Sequence, residues 1–327
     1  MGAQTLSRHW SHRGALAWLL WPVSLAFGVA VFVRRLLYRL RILESHAAGV
    51  PVIVVGNLIA GGSGKTPLAL WLAEFLKDHG WTPGIVTRGY GARLEAPREA
   101  SIASEPSEVG DEPIVLARRS GCTVWVGPDR VRVCQALRHQ HPDVDIIVLD
   151  DGLQHYRLAR ELEICVVDER GFGNGLLLPA GPLREPRTRL RSVDAVVAHG
   201  TDAVRGYAMR LEGKLLNCLA DARERRPVES FAGQRVHAVA GIGDPNRFFR
   251  HLLRLGLKVV PHPFPDHHPF RAADLEFGDA LPVVMTEKDA VKCRRFAKPQ
   301  HWVFPVSAVL DPAFGNWLLE KLGEHRR

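Results

Sequence analysis

The run Gly61-Gly62-Ser63-Gly64-Lys65-Thr66 has the residues needed to hold phosphate. Glycines let backbone N–H groups turn inward around phosphate oxygens. Lys65 has the reach for β- and γ-phosphates, and the Thr66 hydroxyl can ligate Mg2+. Downstream, Asp150-Asp151 closes the apolar run Ile146-Ile147-Val148-Leu149. That is the Walker-B form, in which a carboxylate at a strand's end reaches the metal beside the phosphates. Adjacent strand residues point to opposite faces, so one of the two acids faces a metal directly. Asp111 follows Gly110 where a helix should open, a place for a cap or a first-turn acid. Asp266-His267-His268 lies in a loop. Adjacent histidines are not spaced as metal ligands, but an Asp or His beside an acceptor hydroxyl serves as general base. Arg88, Tyr90, Arg130, Arg184 and Arg187 could together hold a negatively charged acceptor, since arginine binds phosphate bidentately.

These groups need elements to place them. Val50–Gly56 reads as a strand feeding the glycine loop, and Pro67–His79 as a helix leaving it, with Leu68, Leu72, Phe75 and Leu76 at helical spacing. The positive end of that helix points at the bound anion. The strict loop pattern places a glycine at position 59, where this chain has Ile59; the nearest upstream glycine is Gly56. Strands follow at 83–87, 123–126, 144–149, 162–167 and 193–198, with helices at 107–119 and 129–139. This alternation predicts an α/β fold with a mostly parallel sheet and helices on both faces, of P-loop NTPase type. A Pro/Arg-rich stretch, 179–191, reads as a long functional loop. A second α/β run begins near Phe231, with a strand at 235–240, a helix at 247–255 and strands near 258–260 and 282–285. The division predicted is 1–45 for an N-terminal hydrophobic helix, 46–215 for the P-loop domain and 216–327 for a smaller domain closing the cleft.

Ala15 to Val33 carries no charge and is long enough to cross a hydrocarbon core. Arg8 and Arg13 precede it, and Arg34, Arg35, Arg39 and Arg41 follow; Trp10, Trp18 and Trp21 suit an interface. The larger positive cluster on the C-terminal side keeps the rest of the chain in the cytoplasm. Pro22, Ser24 and Gly28 weaken a simple span, so crossing the membrane and lying in its inner leaflet both stay open. Net charge is +8, which implies anionic partners. No basic tract is interleaved with aromatics, which argues against nucleic acid. The five cysteines are scattered without a Cys-x-x-Cys pair, which argues against a disulfide framework or a zinc site. In Thr286-Glu287-Lys288-Asp289 a glutamate breaks the guanine-reading pattern, so ATP is the expected nucleotide.

Read in order, Gly-Gly-Ser-Gly-Lys-Thr, Thr87-Arg88-Gly89-Tyr90-Gly91, Val109-Gly110-Asp111-Glu112-Pro113 and Leu149-Asp150-Asp151-Gly152-Leu153-Gln154-His155 resemble one family. Leu178-Pro179-Ala180-Gly181-Pro182-Leu183-Arg184-Glu185, Gly241-Ile242-Gly243-Asp244-Pro245, Phe264-Pro265-Asp266-His267 and Thr286–Lys292 continue the likeness over nearly the whole chain. It is similar to the tetraacyldisaccharide 4′-kinases of lipid A synthesis, whose glycine loop has the same displaced first glycine. The resemblance implies a two-domain kinase using ATP and Mg2+ on the 4′-hydroxyl of a lipid-linked glucosamine disaccharide. It implies phosphate held by Gly61, Gly62, Ser63, Gly64, Lys65 and Thr66, with metal at Thr66, Asp150 and Asp151 and with Glu185 nearby. It implies Asp111 as base with His267 supporting it, and Asn57, Arg88, Tyr90, Arg130, Gln154, His155 and Arg184 lining the substrate site. The work place implied is the cytoplasmic face of a bacterial inner membrane, with the lipid and the membrane surface as partners and no obligate protein partner. The other reading is a regulatory P-loop NTPase acting as a partner-binding switch.

Overall fold

The computed structural model describes residues 9–325; Arg8 lies outside them. Helix α1 (Ala15–Arg39) runs along the surface, and β1 (Val52–Gly56) enters the core. Then come α2 (Lys65–Asp78), β2 (Pro83–Thr87), β3 (Arg98–Ala100), a single turn Pro106–Val109, α3 (Asp111–Ser120), β4 (Val124–Val126) and α4 (Arg130–Gln140). Strands β5 (Ile146–Asp150), β6 (Leu162–Asp168), β7 (Ala195–His199) and β8 (Tyr207–Glu212) follow. Among the described residues these strands, with β15 (Ser307–Leu310), form one nine-stranded sheet in the order β15-β8-β7-β6-β1-β5-β2-β4-β3. Its interior pairs are parallel, and β3 and β15 join antiparallel at the two edges.

Burial on both faces explains why β1 and β5 read as unbroken apolar runs. Ile53 and Val55 face one core with Leu68, Leu72 and Leu76 of α2. Val52 and Val54 face the other with Val133 and Leu137 of α4. The register pairs Val55 with Asp150, so the end of β1, where the glycine loop starts, lies beside the acidic end of β5. Gly56 is required here: a β-carbon would come within 2.4 Å of Leu153 Cβ.

The second sheet has the order β10-β9-β14-β13-β11-β12. It is built from β9 (Leu215–Cys218), β10 (Arg225–Pro227), β11 (Arg235–Ala240), β12 (Lys258–Pro263), β13 (Val283–Thr286) and β14 (His301–Phe304). Helices α5 (Pro245–Arg254) and α6 (Glu287–Cys293) belong to this part. The expectation that 216–327 forms one unit fails for its last segment. β15 pairs with β8 in the large sheet, and α7 (Pro312–His325) places Phe314, Leu318 and Leu322 in the core beside α2. The chain leaves the large sheet through Gly213 and returns through Pro305, and these crossings touch: a β-carbon on Gly213 would lie 2.7 Å from Pro305 O.

The strands absent from the sequence reading are β3, β8, β9, β10, β14 and β15. Most are short or lie at sheet edges, where an open face admits polar residues and the apolar run disappears. Tyr207–Glu212 alternates polar with apolar and buries only Met209.

Candidate active site

The glycine loop closes into α2 through two left-handed glycines, Gly61 at φ 97° and Gly64 at φ 85°. Gly64 serves as N-cap without a side chain, so the helix's first N–H groups are left to an anion. Lys65 is buried and reaches forward: its Nζ donates to Asn57 Oδ1 at 3.2 Å and lies 3.4 Å from Asp151 Oδ1. Thr66 Oγ1 donates to Asp150 Oδ2 at 3.4 Å. The Walker-type residues from three separate chain segments therefore meet at one place.

The two acids differ as the strand geometry predicts. Asp151, at φ 54°, turns out of β5; Arg184 Nη1 donates to it at 3.1 Å. Burial would raise its carboxyl, but Lys65 and Arg184 outweigh it and hold it at about 2. Asp150 is 1 % exposed, and burial together with Glu112 pushes its carboxyl upward. Among the described residues its Oδ1 finds no hydrogen-bond partner. A buried carboxylate oxygen without a partner, beside a threonine hydroxyl, suits a hard divalent cation. Glu185 does not join this pair. Its buried carboxylate accepts from Tyr156 Oη and from Gln154 Nε2 (3.1 Å), with Arg189 Nε at 3.7 Å and Arg35 Nε at 3.8 Å. Among the described residues no cluster of three His, Cys, Asp or Glu side chains is placed to hold a metal. Of the expected Thr66, Asp150 and Asp151, with Glu185 nearby, Thr66 and Asp150 are the two that stand together with a free carboxylate oxygen. Glu185 is satisfied by its own neighbours, and Asp151 by two cations.

A second group faces this one. Asp111 opens α3 and is 4 % exposed. Its Oδ2 lies 3.1 Å from His267 Nδ1, and its Oδ1 accepts the Glu112 N–H at 2.8 Å. Burial alone would raise the Asp111 carboxyl; the His267 hydrogen bond, Lys288 and Lys292 overcome that and hold it at about 2. The same hydrogen bond raises the His267 imidazole above its ordinary value. Tyr90 packs over the His267 ring at 4.8 Å between centroids. The two groups approach through the loop after β11. A β-carbon on Gly243 would stand 3.6 Å from Gly62 N and 3.5 Å from Asp266 Oδ2.

Among the described residues, Ser63 Oγ, Arg130 Nε and His155 Nε2 join Asp150 Oδ1 as buried polar atoms without a hydrogen-bond partner, and Arg130 lies near Arg88, Asp150, Asp151 and His155. Buried polar groups are normally paired, so a cluster of exceptions marks where a ligand's polar groups belong. Arg130 is buried and donates to Pro128 O at 3.0 Å; burial, then the nearby Arg88, lowers its affinity for the proton. Burial and Arg130 lower the His155 imidazole to about 4, so it is neutral at pH 7. Gln154 bridges Asn57 O and Glu185, orienting the loop rather than standing free.

Several neighbours were not anticipated. Arg170 donates to Gly62 O and to Asp168 Oδ2, tying the glycine loop to the end of β6. Arg247 of α5 donates to His199 Nδ1 at 2.6 Å. Asp168 ends an apolar strand as Asp150 does, a signal present in the sequence. Arg247 offers none, because its contact joins residues from different sheets.

Known proteins resemble this chain over nearly its whole length. A family model described as tetraacyldisaccharide-1-P 4′-kinase matches residues 16–323. The "Tetraacyldisaccharide 4′-kinase" of Aromatoleum aromaticum is 50% identical over 99% of this chain and 99% of its own length. That of Azoarcus sp. is 49% identical over 99% and 96%. The crystal structure of the "apo" form of LpxK from Aquifex aeolicus in complex with ATP superposes with a TM-score of 0.79. It is 27% identical, covering 94% of this chain and 99% of that one. With the family match running nearly end to end and half of all residues shared with such relatives, the chain belongs to the tetraacyldisaccharide-1-P 4′-kinase family.

Proposed function

We propose that the chain transfers the γ-phosphoryl group of ATP to the 4′-hydroxyl of a tetraacylated glucosamine disaccharide 1-phosphate. The observation that carries this reading is the Asp111–His267 pair, drawn from the two sheets and set across the Gly243 loop from the glycine loop. The relatives' names and the ATP bound to the Aquifex aeolicus neighbour support it.

Lys65 and the α2 N-terminus hold the β- and γ-phosphates. Asp111 accepts a hydrogen bond from the sugar hydroxyl and orients it toward phosphorus. As the new P–O bond forms and the bond to the ADP oxygen breaks, the hydroxyl proton passes to Asp111 Oδ2. A carboxylate held near 2 is a weak base, so this transfer comes late, as suits a loose phosphoryl-transfer transition state. His267 fixes Asp111's orientation and shares the arriving proton's charge. Arg130, Arg88, Tyr90 and His155 receive the acceptor, and Arg184 neutralises Asp151. Thr66 and Asp150 fit Mg2+, which when bound neutralises charge on the β- and γ-phosphates. Positioning and charge account for most of the catalysis.

We read α1 as lying in the membrane surface at the cytoplasmic face of the inner membrane. Trp18, Leu19, Val29 and Phe32 are exposed on it. Yet it is held to the protein along its length. Arg13 Nε donates to Asn174 O before its first turn, Ser24 Oγ to Leu177 O midway, and Arg35 Nη2 to Ser192 Oγ near its end. A helix of 25 residues is about 37 Å long. One crossing the bilayer could touch a cytoplasmic domain only near one end. This geometry favours the in-plane alternative and brings the site to where a lipid acceptor resides.

The test supplies purified protein with labelled ATP and a tetraacyldisaccharide 1-phosphate in detergent. Label in the lipid is expected. A folded protein that hydrolyses ATP and leaves the lipid unlabelled would refute the kinase reading in favour of a nucleotide switch.

A further inference from the structure

The Thr286–Lys292 segment supplies two of the charges beside Asp111, and its own architecture has not entered the roles assigned so far. Thr286 caps α6: its hydroxyl accepts the Asp289 N–H at 3.3 Å and donates to Asp289 Oδ2 at 2.6 Å. Asp289 is wholly buried and also accepts the Gly241 N–H at 3.0 Å, which ties α6 to the loop approaching the glycine loop. Lys288 and Lys292 are one turn apart and face the same way. Both point at the first turn of α3. Lys288 Nζ pairs with Glu112. Lys292 Nζ stands 3.1 Å from Asp289 Oδ1 and 3.5 Å from Asp111 Oδ2. At the other end of α3, Arg119 Nη1 donates to both Glu287 oxygens at 2.9 and 2.8 Å.

Three ion pairs thus join one short helix of the second sheet to one helix of the first. Two of them end on the candidate base or its neighbour. Surface pairs contribute little, but these are largely buried: the side chains of Lys292 and Asp111 are 10% and 3% exposed. Lys292 Nζ therefore lies within ion-pair distance of the Asp111 carboxylate, and Lys288 pairs with the residue next to it.

We propose that Lys288 and Lys292 are positioning residues for phosphoryl transfer: α6 is a latch that aims the Asp111 carboxylate and keeps it ionised when the two sheets are together. This rests on the kinase reading. Asp111 faces His267 and Asp266 from the 264–268 loop, Glu112 from its own helix, and Lys288 and Lys292 from α6. His267 supplies a hydrogen bond at 3.1 Å; the lysines supply charge. Without either lysine, Asp111 is protonated at higher pH, and its orientation rests on His267 alone.

The test compares the parent chain with Lys292→Met, Lys292→Arg and Lys288→Met, using ATP and tetraacyldisaccharide 1-phosphate in detergent from about pH 8 down to about pH 4, so that a carboxyl raised from about 2 by about two units is reached. For Lys292→Met, kcat should fall about tenfold or more with ATP affinity within about twofold. An opposite charge within 4–6 Å moves a carboxyl by about 1–3 pH units. The variant-to-parent ratio of kcat should therefore fall further as pH drops. Lys292→Arg should recover most of the rate and flatten that ratio. A merely structural lysine would lower the ratio equally at every pH. That outcome, or Lys292→Met matching the parent throughout, overturns the latch while leaving the kinase reading intact. If the parent transfers no phosphate to lipid, the kinase reading falls and the latch with it. If Lys292→Met does not fold by its melting curve, Lys288→Met carries the same comparison with the same criteria.

Discussion

Replacing Asp111 with asparagine isolates charge from shape at the candidate base. Asparagine keeps the volume and one oxygen, so the Glu112 N–H retains an acceptor. What disappears is a carboxylate held at about 2 against an ordinary 3.8. At about 1.36 kcal/mol per pH unit, that difference is worth about 2.4 kcal/mol. Because the folded value is depressed, this stabilisation is complete above 3.8 and lost as pH falls toward 2. Urea unfolding at neutral pH should therefore find Asp111→Asn less stable by up to about 2.4 kcal/mol, with the gap closing in acid. His267 moves the other way: its imidazole is raised chiefly by the Asp111 hydrogen bond, so in the variant it should titrate lower by NMR. Loss of a general base should cut phosphoryl transfer by about 10²–10⁴, while ATP affinity stays within about twofold. An unchanged transfer rate would remove Asp111 as the base. A loss of ATP affinity as large as the loss of rate would mean that Asp111 shapes the nucleotide site rather than the chemistry.

Asp150→Asn should raise the Mg2+ concentration needed for half-maximal transfer by at least about tenfold; an unchanged requirement would leave the orphaned Asp150 oxygen without a metal role. Leu19→Asp combined with Phe32→Asp places charges on the exposed side of α1, and should move protein from sedimented vesicles containing anionic lipid to the supernatant. Persistent sedimentation would argue against α1 as the attachment. Phe314→Ala should cost about 3–5 kcal/mol by denaturant unfolding, because its ring is wholly buried against Trp71, Tyr207 and Trp317. A loss under about 1 kcal/mol would mean α7 is dispensable to the large sheet.

The glycine loop, β5 with its acids and the 235–240 strand were legible because each is set by local chemistry: a glycine spacing, a fully buried apolar run, a terminal carboxylate. β11 matches its predicted range residue for residue. The Asp111–His267 contact was not legible from spacing, since 156 residues separate the partners; the family likeness supplied it, and the geometry gives 3.1 Å. The surroundings of Glu185 were hidden for a related reason. A buried acid near a metal site reads the same in sequence whether it faces a cation or, as here, a tyrosine, a glutamine and two arginines. The return of Ser307–His325 to the first sheet left no trace at all, because a short edge strand and an ordinary amphipathic helix are compatible with either sheet.

That return has a consequence for how the protein is made. The phosphate-holding loop leaves the ribosome early, but the strand and helix that complete its sheet come after the whole second sheet. Synthesis of the intervening ninety or so residues takes on the order of 5–20 s. Through that interval Met209 and the inner face of α2 lack Phe314, Leu318 and Leu322. The nascent nucleotide-binding half is then an unfinished body with an open edge and an uncovered apolar face. A chain ending before Ser307 would leave that face uncovered, and the second sheet is necessarily present before the first is whole.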